Sequence, residues 1–159
     1  MSALEMTSKI EMQPQRIFPR VVEALGKEFG QAPALFSLPE NFSHAELAAR
    51  MQRYARWALA QGVNKGDVVA LLMHNRAAYL AVWLGLTRVG GVVALINTHL
   101  GGPALAHCLA IANPRHVIAA EKLMPALAEI ATGARIWRHD ADFEQAITAF
   151  SGAALKTGE

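Results

Sequence analysis

Histidine and cysteine are the side chains here that could hold a metal ion, and their spacing argues against one. The 159 residues include six histidines and a single cysteine, Cys108. His107 and Cys108 are adjacent, so on a helix they would point in different directions, whereas chelation needs ligands on one face. His99 and His107 are separated by a Gly-Gly-Pro break. The sequence therefore predicts no metal-binding residue.

Ser43 and Cys108 are the candidate nucleophiles, and a structural role suits each of them better. Ser43 and Glu46 have the spacing of a capping box, in which each side chain accepts a hydrogen bond from the other residue's backbone N–H. Cys108 is predicted to lie on the apolar side of a helix opened by Gly102-Pro103, as an inert core thiol. We expect no catalytic residue and no cofactor-binding residue in this chain.

The middle of the chain is locally basic, although the net charge is only +2. Between Leu47 and Ala120 the single acid is Asp67, and the basic residues are Arg50, Arg53, Arg56, Lys65, Arg76, Arg88 and Arg115. One interpretation is a surface that attracts acidic headgroups or a phosphate-bearing ligand. The other is a set of solvated helix faces and scattered surface arginines. Aromatic residues are not interleaved with the basic ones, which argues against a nucleic-acid partner.

Length and composition favour one compact unit with a large apolar core. Hydrophobic residues make up 53% of the chain and charged residues 18%. We predict a single α/β subdomain over 17–150, a disordered or extended arm over 1–16 and a frayed tail over 151–159. Because this composition is apolar for a free-standing domain, we also expect exposed apolar faces and self-association through them.

A strand, a helix and a second strand are predicted between Asp67 and Asn97. Val68 to Met73 and Val92 to Ile96 are continuous apolar runs, which is typical of parallel strands covered by helices on both faces. The intervening helix has Asn75 as its expected N-cap and ends at Gly90-Gly91. A membrane-spanning helix over Ala77 to Asn97 is disfavoured, because Arg88 near its middle would cost about 2.5–3.5 kcal/mol.

The remaining pattern completes a three-layer α/β fold, with a parallel sheet flanked by helices. A helix beginning at His44 is predicted to end at Gly62, with Val63 as the capping contact. The other predicted elements are a helix over 18–29, an extended segment over 34–37, a helix from Pro103 to Ala112, a strand over 116–120, a helix over 121–131, a weak strand over 134–138 and a helix over 142–150.

Two motifs in this region resemble the adenylate-forming, AMP-binding superfamily. GVNKGDVVALLMHN is similar to the family's G-V-x-x-G-D-x-V-A-x-x-x-x-N run, and YLAVWLGLTRVGGVVALINTHL is similar to its W-L-G-x-x-x-x-G-x-x-x-A-x-x-N-T run. The resemblance covers roughly Phe42 to Glu121 and is greatest to the N-terminal part of long-chain and very-long-chain acyl-CoA synthetases. Within these it points to the branch that includes the fatty-acid transport proteins.

The resemblance implies an enzyme that uses ATP, magnesium, a fatty acid and coenzyme A. Such enzymes hold triphosphate in a Ser/Thr/Gly-rich loop of the form T-S-G-T-T-G-x-P-K, and these 159 residues contain no such loop. We therefore expect an N-terminal subdomain of a long-chain fatty acid–CoA ligase that is inactive alone and holds no cofactor. The alternative is a non-catalytic module that binds an acyl chain, a membrane surface or a second copy of itself.

The N-terminal segment MSALEMTSKIEMQPQ contains acids and no apolar core, so no signal peptide is predicted. A lone cysteine supports no disulfide framework and fits a reducing compartment. Cytoplasmic location is the expectation, with peripheral membrane contact as an open addition.

Overall fold

A computed structural model describes residues 17–38 and 40–156 of the chain. The predicted arm over 1–16 and the last three residues of the predicted tail lie outside the described residues. In chain order, the elements are α1 (Phe18–Phe29), β1 (Pro33–Phe36), β2 (Asn41–Ser43), α2 (His44–Ala60), β3 (Val68–Leu72), α3 (Ala77–Arg88), β4 (Val92–Leu95), α4 (Gly102–Ala112), β5 (His116–Ala120), a 3₁₀ turn (Glu121–Leu123), α5 (Met124–Leu127), β6 (Arg135–His139) and α6 (Ala141–Ile147).

Four of the strands form a parallel sheet in the order β4-β3-β5-β6. Strands β1 and β2 form a separate antiparallel pair, and the sequence predicted only the first of them. The α/β fold with a parallel sheet flanked by helices is confirmed.

Side chains of β3 alternate between two apolar clusters, one on each face of the sheet. Val69 and Leu71 join the cluster built with α2 and α3, whereas Ala70 and Leu72 join the cluster built with α4. Both faces of the strand are thus covered, which is why its sequence is continuously apolar instead of alternating.

The same expectation is met only in part for β4, in which Val93 packs on one cluster and Ala94 on the other. This strand lies at the edge of the sheet, and Val92 and Leu95 remain 52% and 45% exposed. An apolar run cannot distinguish a central strand from an edge strand, because position in the sheet depends on the connections made by the rest of the chain.

The helix ends follow the local signals closely. Ser43 caps α2 in a complete capping box, with the Glu46 N–H donating to Ser43 Oγ at 3.2 Å and the Ser43 N–H donating to Glu46 Oε2 at 2.8 Å. At the other end Gly62 adopts a positive φ of 77°, and the Val63 N–H donates to the Ala58 carbonyl at 2.9 Å. Gly90 closes α3 in the same way.

The predicted helix over 121–131 is wrong in extent. The structure has a 3₁₀ turn followed by the four-residue α5, with Pro125 at its start. Proline has no N–H to donate to the carbonyl one turn earlier, so a continuous helix from Glu121 would lack that bond.

The predicted frayed tail is also wrong for residues 151–156. Arg56 donates to the carbonyls of Ser151 and Ala153, and the Leu155 N–H donates to Gln52 Oε1 at 3.1 Å. Leu155 is buried, so this segment is held against α2.

Among the residues described, no helix combines the length and apolar composition needed to cross a membrane.

Close packing of α2 on α3 depends on Gly85. A Cβ added there would lie 2.5 Å from Tyr54 Cβ and 2.8 Å from the Met51 carbonyl oxygen. Both neighbours are fully buried residues of α2 and have little room to move. Backbone-to-backbone approach at this point therefore requires glycine.

We predict that Gly85→Ala lowers the free energy of unfolding by about 1–3 kcal/mol, because overpacking outweighs the better helix propensity of alanine. Urea denaturation followed by circular dichroism measures the change. Gly101→Ala is the control, since a Cβ there meets no atom within 4 Å. Equal effects of the two variants would contradict this account.

Candidate functional site

The order of the strands places a crevice at the carboxyl ends of β3 and β5. From β3 the chain runs through α3 to β4, at one edge of the sheet. From β5 it runs to β6, at the other edge. Parallel sheets commonly bind ligands where the connections diverge in this way. The crevice encloses about 450 Å³ and is lined by polar side chains that include His74, Arg76, Glu121, Lys122, His139 and Glu144.

Residues of the hairpin formed by β1 and β2 hydrogen-bond to the start of α3, at the edge of this crevice. Arg76 donates from Nε and Nη2 to the two carboxylate oxygens of Glu40, at 2.8 and 3.2 Å. Glu40 also accepts from the Ala78 N–H at 2.8 Å, and Ser37 Oγ accepts from the Ala77 N–H at 3.1 Å. The first N–H groups of α3 are thus satisfied by residues almost 40 positions earlier.

Asn75 was the expected N-cap of this helix, and that expectation is wrong. The capping position is Arg76, whose own side chain makes no capping hydrogen bond. Burial alone would raise the pKa of Glu40, but the hydrogen bonds from Arg76 and the Ala78 N–H outweigh it and hold that pKa below its usual range. The carboxylate therefore stays charged at the positive end of the helix.

A hydrogen-bonded network of Tyr54, His139, Glu144 and Arg50 borders the crevice. The Tyr54 hydroxyl donates to Glu144 Oε1 at 2.8 Å and lies 3.0 Å from His139 Nε2. His139 Nε2 is also 3.0 Å from Glu144 Oε1, and Arg50 Nη1 is 3.2 Å from Glu144 Oε2. Residues of α2, β6 and α6 are joined through one carboxylate.

Burial and the nearby Glu144 raise the pKa of Tyr54 far above its usual range, so its hydroxyl remains a donor at neutral pH. For Glu144, burial opposes ionisation, but the hydrogen bonds from His139 and Tyr54 and the charge of Arg50 together lower its pKa. A protonated phenol donating to a fixed carboxylate is an arrangement that positions side chains. It does not activate a nucleophile.

The basic residues of the middle segment are largely neutralised by acids from elsewhere in the chain. Within the part of the chain that the structure describes, ion pairs are seen for four of the seven, which are Arg50–Glu144, Arg76–Glu40, Arg88–Glu23 and Arg115–Asp67. Three of these acids lie outside the segment from Leu47 to Ala120. More than half of these basic residues are therefore balanced by acids in the folded chain.

The candidate nucleophiles and metal ligands named from the sequence lie apart from one another in the structure. Ser43 acts as a helix cap, as predicted. Cys108 is half-buried rather than a core residue, because Leu105 and Leu109 supply the buried face of α4. His99 and His107 are exposed. Within the described residues, no three metal-ligating side chains converge.

Sequence reasoning missed Tyr54, His139, Glu144 and Glu40. Tyr54 lies among the apolar residues of α2, and its hydroxyl partner is 90 positions away. His139 directly follows a predicted parallel strand. This position could have marked it as a site residue, because the carboxyl ends of parallel strands share one edge of the sheet.

Comparison with known proteins identifies the family. The AMP-binding enzyme family matches residues 22–155. The chain belongs to this family. The long-chain fatty acid transport protein 2 of Rattus norvegicus is 29% identical over 130 residues, which are 80% of this chain and 21% of that protein. The medium/long-chain fatty-acid–CoA ligase FadD6 of Mycobacterium tuberculosis is 30% identical over 90 residues, which are 57% of this chain and 15% of that protein.

Solved structures confirm the fold of the AMP-binding chain. A benzoate CoA ligase from Burkholderia xenovorans superposes with a TM-score of 0.78 at 23% identity, over 89% of this chain and 30% of that chain. A fatty acyl CoA synthetase of Mycobacterium tuberculosis gives the same TM-score at 21% identity, over 86% of this chain and 29% of that one. The predicted resemblance to acyl-CoA synthetases and fatty-acid transport proteins is confirmed. The chain spans about a fifth or less of these curated relatives' length.

We predict that Glu144→Gln lowers the free energy of unfolding at pH 7 by about 1–3 kcal/mol, because charge-assisted hydrogen bonds are lost. The folded-state pKa of Glu144 lies below its ordinary value of 4.5. Its contribution is therefore fully present above that pH and disappears as the pH falls through the lowered folded-state value.

Urea titrations between about pH 3 and pH 7 should show that the free energies of unfolding of wild type and Glu144→Gln converge as the pH falls. Glu28→Gln removes the same charge from an exposed position and is the matched control. A difference in the free energy of unfolding between wild type and Glu144→Gln that stays constant over this pH range would refute the role given to the Glu144 charge.

Proposed function

We propose that this AMP-binding chain is the N-terminal subdomain of an ATP-dependent long-chain fatty acid–CoA ligase. The observation that carries the proposal is the family match over 22–155, together with relatives that are named long-chain fatty acid transport proteins and a medium/long-chain fatty-acid–CoA ligase. The complete ligase would join a fatty acid carboxylate to ATP as acyl-adenylate with release of pyrophosphate. The thiol of coenzyme A would then displace AMP to form the thioester.

The described residues do not fit the triphosphate of ATP. A phosphate at the switch-point crevice would need free N–H groups at the start of α3, because helix N-termini are the usual anion sites of such sheets. The Ala77 and Ala78 N–H groups are already bonded to Ser37 and Glu40, and the Glu40 carboxylate is itself an anion at that place. Arg76 is likewise engaged by Glu40.

The role proposed for these residues is therefore scaffolding. They supply a parallel sheet, two layers of helices and a hairpin, on which the catalytic parts of the ligase would be assembled. ATP, magnesium and coenzyme A would be held by residues of the ligase outside this chain.

We predict that the purified chain forms no acyl-CoA from palmitate, ATP, magnesium and coenzyme A. Thioester formation is measured by liquid chromatography and pyrophosphate release by a coupled assay, with FadD6 of Mycobacterium tuberculosis as the positive control. Turnover above a no-protein blank would overturn the claim that the chain is inactive alone.

The reading frame beyond the Glu159 codon should encode a Thr/Ser/Gly-rich loop that ends in Pro-Lys.

A non-catalytic membrane-surface module is the second candidate, and one feature favours it. Phe36, the last residue of β1, and Leu38, in the turn before β2, are 76% and 98% exposed. The hairpin that carries them is hydrogen-bonded to the start of α3 through Ser37 and Glu40. Large apolar side chains exposed on an anchored loop are suited to a lipid surface.

If this second function operates, the wild-type chain will float with phosphatidylcholine/phosphatidylserine liposomes in a density gradient and Leu38→Ser will float less. Leu59→Ser, at an exposed apolar residue of α2, is the control. Wild-type protein that stays at the bottom of the gradient would eliminate the membrane role and leave the ligase proposal unaffected.

A further inference from the structure

The two edges of the parallel sheet differ in chemistry. The β6 edge has the sequence Arg-Ile-Trp-Arg-His, with Arg135 and Arg138 exposed. The β4 edge has the sequence Val-Val-Ala-Leu, with no charge, no proline and two half-exposed apolar side chains. Charged side chains, above all basic ones, are a common protection of sheet edges against pairing with another chain. Only β6 has this protection within the described sheet.

The backbone of β4 is available for a further strand. The N–H groups of Val92 and Ile96 donate inward, to the carbonyls of Asp67 and Leu71, at 2.9 and 3.0 Å. Because backbone groups alternate in direction along a strand, those of Val93 and Leu95 point away from β3. Among the residues described, β4 has no strand partner on that outer side.

We propose that two copies of this chain associate through the outer edge of β4, beyond any role in a ligase. A two-fold axis perpendicular to the sheet would place the two β4 strands antiparallel, with Ala94 opposite Ala94 of the second copy. Val93 would then face Leu95 of the second copy in hydrogen-bonded pairs, which gives four new backbone hydrogen bonds. The two four-stranded sheets become one continuous sheet.

This register is self-complementary, which a two-fold contact requires. Val93 and Leu95 lie on the same face of the sheet and form an apolar cross-strand pair with the second copy. Pairing through β6 would instead bring the second copy against an edge with two exposed arginines, Arg135 and Arg138, and basic side chains protect sheet edges from pairing.

The size of the contact indicates a weak dimer. Four residues of strand extend about 13 Å, and edge pairing alone falls short of the roughly 1,200 Å² that a stable interface buries. Surface of mixed polarity beside β4 can enlarge it, since Leu95 and Ile96 line a cavity of about 440 Å³ together with polar residues that include His74, Asn97 and His99. The association should therefore depend strongly on concentration.

Sedimentation velocity tests the proposal, with protein from about 5 µM to about 500 µM to cover weak association. The weight-average mass should rise from the monomer value of 17.1 kDa toward twice that value. Leu95→Lys should weaken association by about tenfold or more, since it places a charge in the cross-strand pair. Ile136→Lys is the matched control on the β6 edge, at a residue that is 37% exposed, and should leave association unchanged.

A cross-link tests the register separately. In a Cys108→Ser background, Ala94→Cys should form an intermolecular disulfide under mild oxidation, because directly opposed residues of a non-hydrogen-bonded pair have Cα atoms about 4.5 Å apart. Ile136→Cys in the same background should form far less. A chain that stays monomeric at all concentrations, or equal effects of Leu95→Lys and Ile136→Lys, would overturn the proposal.

Discussion

Burial of β3 on both faces is the constraint on which the rest of the structure depends. Its side chains enter two separate apolar clusters, so helices must cover the sheet on both sides. The chain meets this requirement by sending α3 over one face and α4 over the other. Two consequences follow from that division. The connections diverge between β3 and β5, which opens the crevice, and β4 lies at the edge of the sheet formed by the described residues.

Electrostatics in this AMP-binding protein acts over long sequence separations. Each arginine pair described here joins segments that the sheet topology brings together, and Glu40, Glu23 and Glu144 neutralise arginines from a stretch that looks basic when taken alone. Glu40 has a further effect, because its carboxylate occupies the start of α3 where a nucleotide-binding sheet would present free N–H groups. The same ion pair that stabilises the helix makes this place unsuitable for phosphate.

The parts of the site that sequence reasoning found are those with local signals. Ser43 and Glu46 are three residues apart, and the two glycine-closed helix ends involve residues within one turn. The Tyr54–His139–Glu144 network has no such signal, since its members come from α2, β6 and the start of α6, and each resembles an ordinary core or surface residue within its own element. Location at the carboxyl edge of a parallel sheet could have singled out His139, but not the phenol beneath it.

By itself, the sequence determined the α/β class, the bounds of α1 and β5, the caps of α2 and the family, because hydrophobic period, turn chemistry and short motifs depend on neighbours a few residues apart. Tertiary structure alone decided which strand lies at the edge, that residues 151–156 dock on α2, and that a hairpin some 40 residues away caps α3. These outcomes depend on which distant groups meet once both faces of β3 are covered. No pattern within a single element contains that information.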